Sequence, residues 1–145
     1  MERTLVLIKP DAVQRGLVGT IISRLEGRGL KIIAMKMLQM DEGSAEELYA
    51  VHRGKLFFEG LVNFITSSPI IAVVFEGPGA IEVVRCSMGE TDPAQAAPGT
   101  IRGDFALDIR HNLIHGSDSV DAAEQEISLF FSAEELLSYE RGTEW

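Results

Sequence analysis

Residues 112–118 have the sequence Asn-Leu-Ile-His-Gly-Ser-Asp, which surrounds His115 with an amide, a hydroxyl and a carboxylate. Only three histidines occur in the chain. A histidine with such neighbours can act as a nucleophile, a general base or a metal ligand. The alternative is a histidine in a polar turn, where Ser117, Asp118 and Ser119 cap the helix that follows. The segment by itself does not decide between these interpretations.

Further polar side chains lie where predicted strands and helices end. Around a helix, Glu126 would lie about 40° from Phe130, a half-buried position from which its carboxylate can reach the preceding turn. A carboxylate beside a histidine fixes which ring nitrogen carries the proton and stabilises the charged ring. Two arginines and a lysine could neutralise the phosphate charge of a nucleotide. The candidate residues are Lys9, Tyr49, Arg85, Thr91, Arg102, Asn112, Ser117 and Glu126, and each can also be explained as a solvated element end or a cap.

Length and composition restrict the fold class and the partners. The 145 residues fit one domain, residues 1–145, with 46% hydrophobic and 24% charged side chains. Thirteen basic and 22 acidic side chains give a net charge of −9, which argues against nucleic-acid binding because that affinity comes from basic surface. No apolar run approaches the roughly 20 residues of a membrane span. The single cysteine and the absence of a signal-peptide pattern lead us to expect a cytoplasmic protein.

Several common motifs are missing from the sequence. The phosphate loop G-x-x-x-x-G-K-[ST] and the glycine-rich loop of protein kinases do not occur. Cysteines and histidines at zinc-binding spacing and the EF-hand loop do not occur either. A nucleotide site in this chain would therefore have to be assembled from residues that are distant in sequence.

Hydrophobic periodicity predicts alternating strands and helices. When only the main strands and helices are counted, the order is βαββαβ. This is a ferredoxin-like α/β (α+β) arrangement with a four-stranded antiparallel sheet and helices packed on one of its faces. We expect strands over residues 3–9, 30–40, 70–75 and 112–115, and helices over residues 17–25, 44–51, 60–66, 80–88 and 120–130. We also expect Ser44 with Glu47 and Ser132 with Glu135 to form capping boxes, and residues 90–100 to form a long functional loop.

The predicted strand over residues 30–40 is apolar on both faces. Simple alternation places Leu30, Ile32, Ala34, Leu38 and Met40 on one face and Ile33, Met35 and Met37 on the other. A single helix layer covers only one face of a sheet. The exposed apolar strand therefore predicts a two-fold contact with another copy of the chain.

From end to end, the chain resembles the nucleoside diphosphate kinase family. Residues 112–118 are similar to that family's active-site signature. Four further stretches agree in order and spacing, namely residues 4–19, 57–61, 89–91 and 98–104. The resemblance covers essentially all 145 residues and implies a phosphotransferase of nucleotides.

This resemblance implies a role for each matching residue. His115 resembles the histidine that takes the γ-phosphate from a donor triphosphate and passes it to an acceptor diphosphate. Glu126 matches the carboxylate that orients that ring, and Ser117 the hydroxyl bonded to it. Arg85, Thr91 and Arg102 match phosphate-binding positions, and Tyr49 matches a residue of the same pocket. Lys9 and Asn112 match groups that meet the sugar hydroxyls and phosphates. Phe57 and Ile109 match residues on the two faces of the base.

The resemblance also implies a cofactor and an assembly. Mg²⁺ is expected to travel with the nucleotide phosphates, without metal ligands from the protein. Family members commonly form hexamers, and tetramers in some bacteria; the loop containing Pro93 and residues 139–145 favour the homohexamer. Leu56 stands where the family commonly has proline, and we expect a looser helix hairpin there.

Two functional interpretations follow. The first is an enzyme that transfers the γ-phosphate by a ping-pong mechanism through a phosphohistidine at His115 and accepts any base. The second is a non-catalytic ferredoxin-like module that binds nucleotides or a protein partner without turnover. The presence of every catalytic residue that the family requires favours the enzyme.

Overall fold

The computed structural model describes residues 1–141, and within them it contains four β-strands and seven α-helices. The strands are β1 (Glu2–Ile8), β2 (Lys31–Leu38), β3 (Ile70–Gly77) and β4 (Ile114–Gly116). The helices are α1 (Pro10–Gln14), α2 (Val18–Gly27), α3 (Glu42–Leu48), α4 (Phe58–Thr66), α5 (Ala80–Met88), α6 (Ile101–Phe105) and α7 (Val120–Phe130). Short 3₁₀ turns occupy Ala50–His52, Pro93–Gln95 and Ala133–Glu135.

The four strands form one antiparallel sheet in the order β2-β3-β1-β4. β1 lies inside the sheet, where Leu5 is paired with Val74 of β3 and Leu7 with His115 of β4. With helices between the strands, this order is the connectivity of a ferredoxin-like fold. The predicted fold class is confirmed.

Helices cover both faces of the sheet. Side chains of β1 alternate between two cores, as the pleat of a strand requires. Leu5 and Leu7 belong to a core shared with α3, α4 and α7, whereas Val6 and Ile8 belong to a second core shared with α2, α5 and α6. The prediction that the helices cover only one face is therefore wrong, because helix order in the sequence does not show which face each helix packs on.

β2 contains a bulge that changes which residues share a face. The register with β3 shifts between Ile32 and Ala34. Ile33 and Ala34 consequently join the same core, while Ile32 packs against the other one. The simple alternation predicted for this strand is wrong at Leu30, Ile32 and Ile33, because Leu30 lies in the same core as Ile32. Met35 and Met37 remain 54% and 61% exposed.

Two local predictions near the start of the chain need correction. The cap of α3 is Asp41, whose carboxylate accepts a hydrogen bond from the backbone N–H of Ser44 at 2.7 Å, so Ser44 does not open the helix. α3 ends at Leu48, and Val51 lies in the 3₁₀ turn that follows. The short helix α1 directly after β1 was not predicted, although proline is favoured at a first helical position.

The last helix follows the sequence prediction closely. Ser119 caps α7 by accepting a hydrogen bond from the backbone N–H of Ala122 at 3.0 Å. The predicted capping box of Ser132 and Glu135 is present in the next turn. The Ser119 cap fixes the start of α7 shortly after β4, which places the inner face of the helix beside the strand that carries His115.

After α7 the chain runs along the edge strand β2. The backbone N–H of Leu137 donates to the carbonyl of Ile33 at 3.0 Å, and the hydroxyl of Tyr139 donates to the carbonyl of Ile32. Residues 142–145 of the extension that favoured a hexamer lie outside the described residues. Within residues 1–141, none of the helices is both long and apolar enough to traverse a bilayer.

Candidate active site

His115 lies in β4, and its ring is hydrogen-bonded to the carboxylate of Glu126 in α7. Its Nε2 is 2.6 Å from Oε1 of Glu126, and the two side chains are 24% and 17% exposed. The hydroxyl of the fully buried Ser117 donates to the same Oε1 at 2.9 Å. The structure therefore brings together the three residues that the sequence grouped around the histidine.

This contact decides which ring nitrogen of His115 is free to react. An ionised carboxylate can only accept a hydrogen bond, so Nε2 must carry the proton that points to Glu126. In the neutral ring, Nδ1 then has an unshared electron pair. No hydrogen bond from residues 1–141 reaches Nδ1. A half-buried imidazole in this state is a nucleophile with a defined reacting atom.

Lys9 and Asn112 form a second group beside the histidine. The ammonium of Lys9, at the end of β1, donates to Oδ1 of Asn112 at 2.8 Å. Nδ2 of the buried Asn112 donates to the carbonyl of Thr91 at 3.0 Å. Burial, together with the positive charge of Arg102, lowers the pKa of Lys9 to about 8, against the opposing effect of Asp11. The lysine is therefore charged at neutral pH and sensitive to alkaline pH.

Arg102 is buried, and its guanidinium binds the backbone around the site. Nε donates to the carbonyl of Asn112 at 3.2 Å, one terminal nitrogen to Gly89 at 3.0 Å, and the other to Ile114 at 2.7 Å. Burial and the charge of Arg85 lower the pKa of Arg102 to about 10. Because a guanidinium has five N–H donors, each terminal nitrogen keeps one N–H for a further acceptor. Sequence reasoning predicted the cationic role of Arg102 and missed this structural one.

Arg85 and Thr91 are exposed at the same end of the sheet. A terminal nitrogen of Arg85 donates to the carbonyl of Gly116 at 3.3 Å, which places the guanidinium next to the strand of His115. A cavity of about 450 Å³ is lined by Arg85, Thr91 and Arg102, but His115 is not among its lining residues. Three of the predicted phosphate-binding residues thus converge on one cavity, and one of them, Arg85, contacts the strand that carries the histidine.

Tyr49 lies at the end of α3, close enough to Glu126 to be affected by its charge. Its side chain is buried, and this burial together with the negative charge of Glu126 raises the pKa of Tyr49 to about 12. The phenol is therefore protonated at neutral pH and can serve as a donor towards the site.

Phe57 and Ile109, the predicted base-stacking residues, are 52% and 56% exposed. The ring of Phe57 meets that of His52 edge to face, at 5.2 Å between centroids. Both residues are available as exposed apolar surface, and Leu56 next to Phe57 is fully exposed.

Two residues in contact with this cluster were not predicted. Asp11, in α1, is buried and accepts a hydrogen bond from the backbone N–H of Leu113 at 3.1 Å. Leu113 has a positive φ of 73°. Asp11 follows Lys9 closely in sequence, which could have drawn attention to it. Nothing in the sequence indicates the backbone conformation of Leu113, because leucine rarely adopts it.

The donors of the site suit phosphate better than a bare metal ion. Among the described residues, no three His, Cys, Asp or Glu side chains converge so as to hold a metal. The groups that do converge are cationic or amide, from Lys9, Arg85, Arg102 and Asn112. Such groups bind phosphate oxygens.

Comparison with known proteins identifies the family. The family model described as nucleoside diphosphate kinase matches residues 2–136. The chain belongs to the nucleoside diphosphate kinase family. It is 60% identical over 141 residues to a nucleoside diphosphate kinase of Thermomicrobium roseum, covering 97% of this chain and 95% of that one. It is 59% identical over 144 residues to that of Archaeoglobus fulgidus, covering 99% and 95%.

Solved structures of nucleoside diphosphate kinases have the same fold. A halophilic member from Halobacterium salinarum, in complex with CDP, superimposes with a TM-score of 0.95 at 55% identity, covering 97% of this chain and 94% of that one. A family member from Babesia bovis has a TM-score of 0.95 at 42% identity, covering 98% and 96%. The protein is accordingly a nucleoside diphosphate kinase-family enzyme, which transfers phosphoryl groups between nucleotides.

The lowered pKa of Lys9 generates a prediction for this kinase-family site. Only the charged lysine attracts phosphate, so the affinity for ADP should be constant well below pH 8 and fall as the pH rises through about 8, by at most about tenfold per pH unit. Arginine stays charged, and Lys9→Arg should therefore lack this pH dependence. Calorimetric titrations on both sides of pH 8 measure it. An unchanged pH dependence in Lys9→Arg would show that another group titrates.

Proposed function

We propose that the protein transfers the γ-phosphate of a nucleoside triphosphate to a nucleoside diphosphate through a phosphohistidine at His115. In the first half-reaction, the electron pair of Nδ1 forms a bond to the γ-phosphorus. The bond from phosphorus to the bridging oxygen breaks, and the diphosphate leaves with the two electrons of that P–O bond. A second diphosphate then attacks the phosphohistidine and regenerates the ring, which is a ping-pong sequence.

The observation that carries this proposal is the 2.6 Å contact between Nε2 of His115 and Glu126. The ring becomes positively charged when Nδ1 is phosphorylated, because Nε2 keeps its proton. A carboxylate at this distance stabilises that charge and holds the ring in one orientation. Ser117 in turn supports the carboxylate. A module that only bound nucleotide would have no use for a histidine oriented in this way.

Cationic side chains around His115 support the transfer of a phosphoryl group. Lys9, Arg85 and Arg102 surround the end of the sheet that carries the histidine, in a chain of net charge −9. Phosphoryl transfer depends mainly on positioning and on stabilising charge on the transferred group. The buried phenol of Tyr49 and the amide of Asn112 add neutral donors.

We further propose that Mg²⁺ accompanies the nucleotide. Bound to the phosphate oxygens, the ion would neutralise part of their charge. The chain's own contribution is the set of cationic and amide donors that bind the remaining oxygens. This arrangement suits a cation that enters and leaves with each substrate.

Broad base specificity is proposed from two exposed apolar residues. Phe57 and Ile109 offer surface for the two faces of a base and no hydrogen-bonding groups for its edges. Every base has a π-face, so stacking does not distinguish one base from another. That the base lies between these two residues is taken from the family resemblance.

The assembly proposed from the family is a homohexamer in the cytoplasm, with a tetramer as the second possibility. β2 lies at an edge of the sheet, and its residues Met35 and Met37 expose apolar surface. Residues 132–141 cover the start of this edge and leave its second half accessible. Because helices cover both faces of the sheet, the exposed edge at β2, and not a whole sheet face, is what a partner would cover. The single cysteine suits a reducing compartment.

His115→Ala should abolish nucleotide phosphate exchange, because the variant lacks the imidazole nitrogen that takes the phosphoryl group. The measurement is incubation with γ-labelled ATP and Mg²⁺, followed by a denaturing gel. Wild type should carry acid-labile, alkali-stable label, and His115→Ala should show only background. His111→Ala is the matched control, since His111 is exposed and should leave the label intact. An unlabelled but folded wild type that binds nucleotide would support the non-catalytic module.

Phe57→Ala should weaken the binding of ADP, GDP and CDP by a similar factor. Loss of stacking costs roughly 1–3 kcal/mol of binding free energy for any base. Calorimetric Kd values for the three diphosphates give the comparison, and Leu56→Ala tests whether removing a neighbouring exposed side chain has the same effect. A loss confined to one base would mean that the pocket reads base edges.

The hexamer is expected to have a mass of about 95 kDa, six times the 15.9 kDa of one chain. Light scattering coupled to size-exclusion chromatography measures it directly. A mass of about 64 kDa would indicate the tetramer instead. A mass of one chain would contradict both assemblies.

A further inference from the structure

Leu113 has a backbone conformation that leucine normally avoids. Its φ of 73° lies in the left-handed region, and it is the one non-glycine residue with positive φ among residues 1–141. For a side chain with a Cβ this conformation is unfavourable, and it persists only where the surroundings impose it. Glycine would remove the strain, but the leucine side chain is fully buried in the core shared with α2, α5 and α6.

The surroundings bind the backbone of residues 112–114 from both sides. Oδ2 of Asp11 accepts from the N–H of Leu113 at 3.1 Å, and the N–H of Lys9 donates to the carbonyl of Leu113 at 2.9 Å. From the opposite side, Arg102 donates to the carbonyls of Asn112 and Ile114. Asp11 is the only side chain of residues 1–141 that accepts from this strained peptide.

Folding stability alone does not explain a carboxylate at this place. Asp11 is 8% exposed, and its Oδ1 is buried without a hydrogen-bond partner. A buried carboxylate oxygen without a partner is unfavourable, and the amide oxygen of an asparagine could accept the same N–H with less charge to bury. The charge also lies close to Lys9, whose ammonium it helps to keep protonated.

The position of Leu113 explains what the strain achieves. Asn112 precedes it and reaches Lys9, while His115 lies two residues beyond and reaches Glu126. A return of φ to an ordinary negative value would rotate the peptide on one side of Leu113 relative to the other. Either the Asn112 contact or the His115 contact would then be lost.

We propose that Asp11 is a positioning residue of the nucleotide site, which holds Leu113 in the left-handed conformation so that Asn112 and His115 face the substrate together. This inference rests on the proposed function, because it assigns Asn112 and His115 to one site. Asp11 itself touches no substrate and acts through the backbone of Leu113.

The test compares Asp11→Ala, Asp11→Asn, Leu113→Gly and the double variant Asp11→Ala/Leu113→Gly. Three quantities are measured: the Kd for ADP with Mg²⁺ by calorimetry, the initial rate of labelling from γ-labelled ATP, and the free energy of unfolding in denaturant. Glu2→Ala is the matched control. Its carboxylate also accepts a backbone N–H, that of Ile81 at 2.9 Å, at the far end of β1.

We expect Asp11→Ala to weaken ADP binding about tenfold and to slow labelling, whereas Asp11→Asn, which keeps an acceptor oxygen, should change both less than about threefold. In the double variant, glycine accepts the left-handed conformation without a Cβ penalty. ADP affinity should therefore recover at least about threefold relative to Asp11→Ala, while the protein becomes less stable because the buried leucine is gone.

Opposite changes in affinity and stability distinguish positioning from a merely structural role. The inference is overturned if Asp11→Ala loses stability as Glu2→Ala does but binds ADP like wild type. A double variant in which affinity falls further together with stability overturns it too. Should Asp11→Ala fail to fold, Asp11→Ser replaces it, because the shorter hydroxyl does not reach the Leu113 N–H, and the same outcomes apply.

The proposed function can fail separately. If wild type takes up no label while the ADP affinities of the variants follow the expected order, the proposed phosphohistidine is wrong and the positioning role of Asp11 remains. If wild type is labelled and the affinities do not follow that order, the proposed function stands and the positioning role is wrong.

Discussion

The antiparallel register between β1 and β4 is the constraint on which the whole site depends. It pairs Leu7 with His115, and it continues beyond the strand ends as bonds from Lys9 to Leu113 and from Ser117 to Leu5. Side chains alternate between the faces of a sheet, so a shift of one residue would turn the histidine away from α7. The hydrogen bond to Glu126 would then be impossible. Strand pairing and the chemistry of the histidine are therefore one requirement.

The electrostatics of the site are opposite to those of the chain as a whole. Acidic side chains dominate the composition, yet burial and the charge of Arg102 lower the pKa of Lys9, and burial and the charge of Arg85 lower the pKa of Arg102. Without an anion, this repulsion and the burial of two of the cations are unfavourable. Phosphate oxygens relieve both effects, and the negative surface elsewhere offers few competing sites for them. Specificity for phosphate follows from where the few cations lie, and their number is of secondary importance.

The positions of the main strands and of several helices followed from sequence wherever local pattern determines structure. The strand over residues 70–75, helix α5 and the capped start of α7 were predictable because periodicity and capping act over a few residues. The bulge at Ile33 and the second helix layer were not, because both depend on packing between distant elements. The grouping of His115, Ser117 and Glu126 was predictable from their closeness in sequence. The multiple backbone bonds of Arg102 and the left-handed Leu113 were not, because no residue type announces them.

The pairing of β1 with β4 also sets when the protein can become functional during its synthesis. β1 is made first, but its partner β4 lies more than a hundred residues later, and the bonds between Leu5 and Ser117 join residues 112 positions apart. A nascent chain emerging from the ribosome therefore presents β1 with one side unpaired for most of translation. Contacts of such long range form late and slowly. The histidine and its carboxylate meet only when nearly the whole polypeptide has been released, so a truncated chain ending before α7 would retain many of the cationic residues and lack the carboxylate that orients the histidine.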